Sequence, residues 1–264
     1  MPQKPYATFS LMGLNVVVFL LASRVLPAGN FLLEQFPLFF PFNQEFHSWQ
    51  FLTHMFMHGS LTHLFMNMFG LYSFGAVLER VWGPTRFLIF YFAAGLGAGA
   101  IYTAVDYVEY NHSSTYLVEQ GVPQATMDQL KTLPTNGAIN QVMAAPSSLS
   151  LESKEAELES MFGIYFGRVV GASGAIYGIL TAFGVLFPNV KLSLIFLPIP
   201  VPAKYFIPGI LLLDLFSGIT GFSLFSGGSG GIAHFAHLGG ALIGFLLMLL
   251  WKNKMKSPQM RAVA

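Results

Sequence analysis

The chain has 264 residues, of which 54% are hydrophobic and only 9% are charged, and it contains 27 phenylalanines and no cysteine. Soluble domains carry about 25% charged residues, so this composition indicates a polytopic membrane protein with the lipid bilayer as its main partner. The net charge of +1 provides no basic surface for nucleic acid, and the lack of cysteine excludes disulfides, thiol catalysis and cysteine-ligated zinc.

Apolar segments, taken in chain order, predict six membrane-spanning helices, because each is close to the ~20 residues that cross a bilayer. Their predicted bounds are residues 7–26, 58–78, 86–107, 169–187, 205–222 and 232–251. We therefore expect an all-α fold, a bundle of six transmembrane helices within residues 7–251. Pro208 and Gly209 predict a break in the fifth helix.

The stretch between the third and fourth predicted spans, residues 108–167, has a different composition. It is rich in Ser, Thr, Asn and Gln and holds most of the acidic residues. We expect a polar extramembrane insertion with a short amphipathic helix at residues 151–161. Its apolar residues look too few for a core of its own, so we do not expect a separate domain.

Positive charges are distributed unevenly about the predicted spans, and residues 252–264 form a basic tail. With six spans the two termini lie on one side. Nine basic residues fall on that side: Lys4, Arg80, Arg86, Lys191, Lys204, Lys252, Lys254, Lys256 and Arg261. Four fall on the other: Arg24, Lys131, Lys154 and Arg168. The positive-inside rule then predicts cytoplasmic termini, as for a multi-pass protein of a bacterial inner membrane.

Two short motifs place reactive side chains inside the predicted bundle. Ser173 stands in Gly171-Ala172-Ser173-Gly174, in the outer half of the fourth span, and His237 lies at similar depth in the sixth. A serine hydroxyl becomes a good nucleophile when a base removes its proton, and histidine is the usual base near neutral pH. Taken alone, a glycine-flanked serine is more often a packing residue, so the expectation of nucleophile and base depends on the two helices meeting.

Glycine spacing gives these helices a way to meet. Two small-xxx-small faces, which allow close helix packing, are present: Gly174-x3-Gly178 and Gly240-x3-Gly244. Tyr177 lies one helical turn after Ser173 on the same face, where it can orient the imidazole of the base. No acidic residue lies near His237 in the sequence, so we expect a catalytic dyad and not a triad.

Further polar residues open the second predicted span. His63 and Asn67 are four residues apart and share a helical face. Both can donate hydrogen bonds, and an acyl-transfer transition state needs donors aimed at its oxyanion. His58 lies further out, where it can order water or a loop.

Two histidine pairs leave a metal site open as an alternative. His54 and His58 form H-x-x-x-H, and His234 and His237 form H-x-x-H, spacings that suit zinc. No carboxylate lies near either pair in the sequence to complete a hydrolytic centre, and the HExxH signature is absent. We therefore expect chemistry that needs no metal and no other cofactor.

Taken together, these residues resemble the rhomboid family of intramembrane serine proteases. The matching elements occur in family order on the second, fourth and sixth predicted spans: His58-x4-His63-x3-Asn67, Gly171-x-Ser173-Gly174 with Tyr177, and Ala236-His237-x2-Gly240-x3-Gly244. The resemblance implies Ser173 as nucleophile and His237 as base. It also implies oxyanion donors in His63, Asn67 and the Ser173 N–H, and an accessory role for His58 near the catalytic water. The implied substrates are transmembrane proteins, cleaved in or near their membrane segments.

Two other functions stay open at this point. A non-catalytic rhomboid-like protein that binds membrane helices should lack the serine or the histidine, and both are present here. A histidine-lined metal or proton transporter should use buried carboxylates. The predicted spans offer only two, Asp106 and Asp214, which argues against a transporter. We therefore expect an intramembrane serine endopeptidase.

Overall fold

The structure is a computed structural model that describes residues 4–22, 27–132, 136–194, 197–221 and 234–251, most of them helical. The predicted basic tail at residues 252–264 lies outside the described residues, as do residues 232 and 233 at the start of the sixth predicted span.

Within the described part of the chain, four helices are long and apolar enough to cross a membrane: Leu61–Trp82, Pro84–Glu119, Ala203–Thr220 and His234–Trp251. Two further apolar helices are shorter, α1 (Tyr6–Leu21) and α10 (Ser173–Leu186). The chain is therefore an integral, multi-pass membrane protein. A total of six spans stays a prediction, since it requires both shorter helices to cross as well.

The second and third predicted spans differ from the observed helices at their ends. The second consists of α4 (Leu61–Gly70), a π-helical turn (Leu71–Gly75) and α5 (Ala76–Trp82). It begins after His58 because Ser60 caps it, accepting the His63 N–H at 3.1 Å. The third, α6 (Pro84–Glu119), has 36 residues. At 1.5 Å per residue it is about 54 Å long, well beyond the ~30 Å hydrocarbon core, so it extends outside the bilayer.

The fifth predicted helix is not broken. Its helix α11 (Ala203–Thr220) passes through Pro208 without interruption. Pro208 lies early in the helix, where it removes a single backbone hydrogen bond. A hairpin of β3 (Lys191–Leu194) and β4 (Leu197–Pro202) leads into α11, and Gly221 ends it in the left-handed conformation, with φ at 69°.

Helix α10 packs against both α6 and α12 (His234–Trp251), and these two helices also pack against each other. The bundle core around it contains fully buried aromatic side chains of α6, namely Phe87, Phe90 and Tyr91. Small residues of α10, including Ala175 and Ala182, are equally buried. The centre of the molecule is therefore packed tightly enough to fix the residues at the start of α10.

The insertion between the third and fourth spans has a core, contrary to expectation. It contains the end of α6 with α7 (Gln124–Thr132), α8 (Asn136–Ala144) and α9 (Leu151–Phe166). Twelve buried residues form a second hydrophobic cluster: Phe40, Tyr110, Leu117, Val122, Met127, Leu130, Val142, Ala145, Leu158, Met161, Ile164 and Tyr165. The low apolar content of residues 108–167 hides this core, because one of its aromatic residues, Phe40, comes from the first loop.

The loop between the first two spans packs against the segment that precedes α10. The loop contains α2 (Pro27–Gln35), β1 (Leu38–Phe39), α3 (Gln50–Thr53) and a 3₁₀ turn (His54–Phe56). Strand β1 pairs antiparallel with β2 (Arg168–Val169), with Leu38 opposite Val169. The fully buried Gln50 organises the loop, donating to the Glu45 carbonyl at 2.6 Å and accepting the His47 N–H at 3.1 Å.

Candidate active site

Ser173 is the first residue of α10, and the chain enters it through an unusual turn. Gly171 has φ of +125°, a conformation that residues with a side chain rarely adopt. Its N–H donates to the His54 carbonyl oxygen at 2.9 Å. Glycine at this position therefore lets the chain turn from β2 into α10 while it remains bound to the first loop.

Glycines bring the backbones of α10 and α12 into direct contact. A Cβ atom added to Gly244 would lie 2.6 Å from the Gly178 Cα, and one added to Gly240 would overlap the Gly174 carbonyl. On its other side α10 contacts α6, since a Cβ on Gly174 would lie 2.5 Å from the Ala98 Cβ. The two small-xxx-small faces identified in the sequence thus lie against each other.

The close approach of these helices brings serine and histidine together. The Ser173 Oγ lies 2.9 Å from the His237 Nε2. The Tyr177 ring stacks on the His237 imidazole, with centroids 4.2 Å apart and planes at 12°. The hydroxyl can donate to Nε2, and the stacking fixes the plane of the imidazole that would accept its proton.

A third residue, Asp214 of α11, also contacts the histidine, although the sequence marks it only as a buried carboxylate and gives it no place beside His237. Its Oδ1 lies 3.4 Å from the His237 Nδ1 and 2.5 Å from the His234 Nδ1. Asp214 is 7% exposed, and its Oδ2 has no hydrogen-bond partner among the described residues. Asp214 precedes His237 by 23 residues and lies on another helix, so closeness in the sequence does not reveal it. An aspartate inside an apolar helix was the useful signal, because burying a carboxylate in lipid is costly.

The two predicted oxyanion donors, His63 and Asn67, both belong to α4. Both the His63 Nε2 and the Ser173 Oγ lie close to Gly171: a Cβ atom added to this glycine would be 2.7 Å from the first and 3.5 Å from the second. The His63 ring therefore lies beside the nucleophile. Asn67 is buried, and its Nδ2 makes no hydrogen bond within the part of the chain that the structure describes. A buried donor without a partner is costly, so this amide is available to a ligand.

His58 lies just before α4 and packs edge-on against His63, with ring centroids 5.1 Å apart. Burial and the neighbouring His63 lower the pKa of His58 to about 4, so its ring is neutral at pH 7. The other histidine of the H-x-x-x-H pair, His54, donates from Nδ1 to the Gln50 carbonyl at 2.8 Å. The described residues contain one group of three side chains that can hold a metal ion, Asp214, His234 and His237, and the His54 pair does not belong to it.

Comparison with known proteins identifies the family. Residues 45–254 match the family model of the Rhomboid domain. The chain belongs to the rhomboid family. The resemblance noted from the sequence motifs is thereby confirmed for most of the chain.

Several curated proteins are similar to this rhomboid. The mitochondrial presenilin-associated rhomboid-like proteins of Homo sapiens and Bos taurus are each 27% identical over 205 residues, which is 75% of this chain and 38% of theirs. Rhomboid protease AarA of Providencia stuartii is 25% identical over 203 residues, 77% of this chain and 56% of its own. The aligned region thus spans about two fifths of the length of the mitochondrial relatives and just over half of the Providencia protein.

Proposed function

We propose that this rhomboid is an intramembrane serine endopeptidase that hydrolyses peptide bonds in or near transmembrane segments of membrane proteins. The observation that carries the proposal is the 2.9 Å contact between the Ser173 Oγ and the His237 Nε2. Family membership adds support, since one similar protein is named a rhomboid protease. Ser173 is the nucleophile, and His237 takes its proton as general base and later returns it to the leaving amine.

The base needs its Nδ1 protonated, so that Nε2 is free to accept the serine proton. The Asp214 carboxylate faces Nδ1 at 3.4 Å, and a hydrogen bond there favours the required tautomer. Tyr177 holds the ring from its face. We therefore extend the expected dyad by Asp214 as a positioning residue.

The oxyanion of the tetrahedral intermediate needs donors that are in place before the reaction. Three groups are candidates for this role: the Asn67 amide, the His63 ring and the Ser173 N–H. The N–H groups in the first turn of a helix have no partner within that helix, and Ser173 opens α10. Because burial keeps it uncharged at pH 7, His58 is suited to ordering the catalytic water beside His63.

Substrates are membrane proteins whose helices can unwind locally, since an intact helix keeps its carbonyls in hydrogen bonds. The excess of basic residues on one side of the predicted spans supports cytoplasmic termini in a bacterial inner membrane, with the insertion and the site on the outer side. An impermeant maleimide tests this orientation in intact cells, using this cysteine-free chain with cysteine at the exposed Glu152 of α9 or at Ser257 of the tail. Labelling of Glu152→Cys and not Ser257→Cys is expected, and the reverse pattern would contradict it.

The catalytic proposal is tested with the purified full chain in detergent and a transmembrane substrate that contains a glycine-rich segment. Wild type should cleave it and should react with a serine-directed fluorophosphonate. Ser173→Ala should do neither, whereas Ser160→Ala, a serine of α9 remote from the site, should do both. A wild-type protein that neither cleaves nor reacts would indicate a helix-binding member without catalysis. If Ser173→Ala cleaved as fast as wild type, Ser173 would not be the nucleophile.

A further inference from the structure

A compact cluster is formed by three side chains, those of Asp214, His234 and His237. The proposed catalysis involves only one of its contacts, the one between Asp214 and His237. The possible ligand atoms of all three side chains lie within 4.8 Å of one another. The proposed hydrolysis uses the contact between Asp214 and His237 to orient the base. It gives no role to His234, although its Nδ1 makes the shorter contact to the carboxylate, at 2.5 Å.

The composition of the cluster fits a transition-metal ion. Zinc sites commonly combine two imidazoles with one carboxylate and a water molecule. Zinc–ligand bonds of ~2.0–2.1 Å in a tetrahedral site separate the ligand atoms by roughly 3.3 Å. The distance from the Asp214 Oδ1 to the His237 Nδ1 is already close to this value, at 3.4 Å. The distance from the same oxygen to the His234 Nδ1 would have to increase by less than one ångström.

A second observation points to a ligand at the same place. The Oδ2 of Asp214 is buried and has no hydrogen-bond partner within the described residues. A buried carboxylate oxygen is costly unless it is paired or coordinates a metal. His234 and His237, spaced as H-x-x-H at the start of α12, both face this carboxylate. Asp214 of α11 thus provides the acid that is absent from the sequence around the two histidines.

We propose that Asp214, His234 and His237 bind a zinc-class divalent transition-metal ion, and that the bound ion reversibly blocks the general base. The ion occupies the Nδ1 lone pair of His237, so the ring proton moves to Nε2. With its proton on Nε2, the imidazole can donate to the Ser173 hydroxyl but cannot accept from it. The blocking step rests on the proposed function, whereas the binding step does not.

Binding is measured first, by calorimetric titration of ZnCl₂ into the purified full chain. Wild type should bind one tight equivalent, and so should Ser173→Ala, because the serine is not a ligand. His234→Ala and Asp214→Asn should bind at least ~100-fold more weakly, since loss of an outer partner alone costs 10- to 100-fold. The exposed His112 of α6 provides the matched control, and His112→Ala should bind as wild type does. Zinc should also raise the thermal midpoint of wild type, a measurement that needs no variant to fold.

Inhibition is measured next, with each protein compared with its own zinc-free rate. Saturating zinc should abolish cleavage by wild type and by His112→Ala, and a chelator should restore it. His234→Ala should keep its zinc-free rate at the same zinc concentration. The proposal is overturned if wild type binds no tight zinc, if His234→Ala and Asp214→Asn bind as wild type does, or if saturating zinc leaves wild-type cleavage unchanged. Failure of the proposed function has a different signature, namely a wild type that binds zinc and never cleaves.

Discussion

Gly240 of α12 lies directly against the carbonyl of Gly174 of α10, so that no side chain fits between the two backbones. This contact lies within one turn of both Ser173 and His237. It therefore sets the separation of the two reactive side chains as well as the packing of the two helices.

Replacing Gly240 by alanine tests this relationship. The added Cβ must push the helices apart, and overpacking of this kind costs about 1–3 kcal/mol, so Gly240→Ala should lower the thermal midpoint and abolish cleavage. Gly13→Ala in α1 is the matched control, because a Cβ there has nothing within 4 Å. Equal behaviour of the two variants in thermal unfolding would show that α10 and α12 are less closely packed than the structure has them.

The residues of the site that could be predicted are those with a local pattern. Ser173 and His237 each stand beside glycines at four-residue spacing, and such spacing indicates a helix contact without knowledge of the partner. Asp214 has no local signal of this kind, since it meets His237 across two different helices. The sequence pattern therefore reveals which residues are unusual, whereas the pairing of Asp214 with both histidines is a property of the assembled bundle.

The insertion shows the same limit for the fold. Its core joins Phe40 of the first loop to Tyr110 of α6, with ring centroids 5.2 Å apart. A composition count over residues 108–167 includes only one of these two rings. Helix α6 continues past the predicted span for a related reason: the residues after Tyr107 are too polar to face lipid, but this helix packs against α9 and shares the second core with it.

The oxyanion role of Asn67 is tested by Asn67→Ala. Removing one oxyanion donor costs roughly 10²–10³ in kcat, and we expect a fall of about 10² with little change in KM. Asn111 of α6, which donates to the Tyr107 carbonyl, gives the control Asn111→Ala, and this variant should cleave normally. A raised KM at normal kcat would instead assign Asn67 to substrate binding.

Asp214→Asn tests the positioning of the base in the absence of metal. The amide can place a donor opposite Nδ1 and so favour the tautomer with its proton on Nε2. A short triad contact is worth ~10⁴ in kcat. The longer contact to His237, with the same oxygen shared by His234, should be worth less, about 10- to 100-fold. The loss should appear in kcat and not in KM. An unchanged kcat in metal-free buffer would leave Asp214 with no part in orienting the base.

Glu79 tests how the first helix is attached to the bundle. This buried carboxylate, in the middle of α5, accepts hydrogen bonds from the N–H groups of Ala7 and Thr8 at 2.9 and 2.7 Å and from the Thr8 hydroxyl at 2.7 Å. It thereby caps the N-terminus of α1, where negative charge is favourable. In Glu79→Gln, the side-chain NH₂ group would face the N–H groups of Ala7 and Thr8, which are also donors. We expect the free energy of unfolding to fall by about 1–3 kcal/mol, measured by thermal unfolding. The exposed Glu155→Gln should cost nothing measurable, and an equally stable Glu79→Gln would show that α1 is held by other contacts.

The last prediction concerns stability at low pH and depends on His54, which lies outside the candidate membrane spans. Burial lowers the pKa of His54 from 6.5 to about 4, and its Nδ1 donates to the Gln50 carbonyl. Between these two pKa values the unfolded chain binds a proton that the folded chain excludes. The stabilisation is therefore complete above pH 6.5 and is lost as the pH falls towards 4, by up to about 1.4 kcal/mol per pH unit for one group.

Thermal midpoints of wild type and His54→Gln, measured in detergent from pH 7 to pH 4.5, separate this contribution from the others. The midpoint of wild type should fall over the range, and that of His54→Gln should fall less, because glutamine cannot take up the proton. His58, whose pKa is also lowered to about 4, should account for part of the slope that remains, so that the double variant His54→Gln/His58→Gln is flatter still. The exposed His112→Gln is the matched control and should follow wild type. Parallel curves for wild type and His54→Gln would mean that the His54 ring is hydrated in the folded protein, and the first loop would then pack less tightly against Gly171 than the 2.9 Å hydrogen bond to the His54 carbonyl indicates.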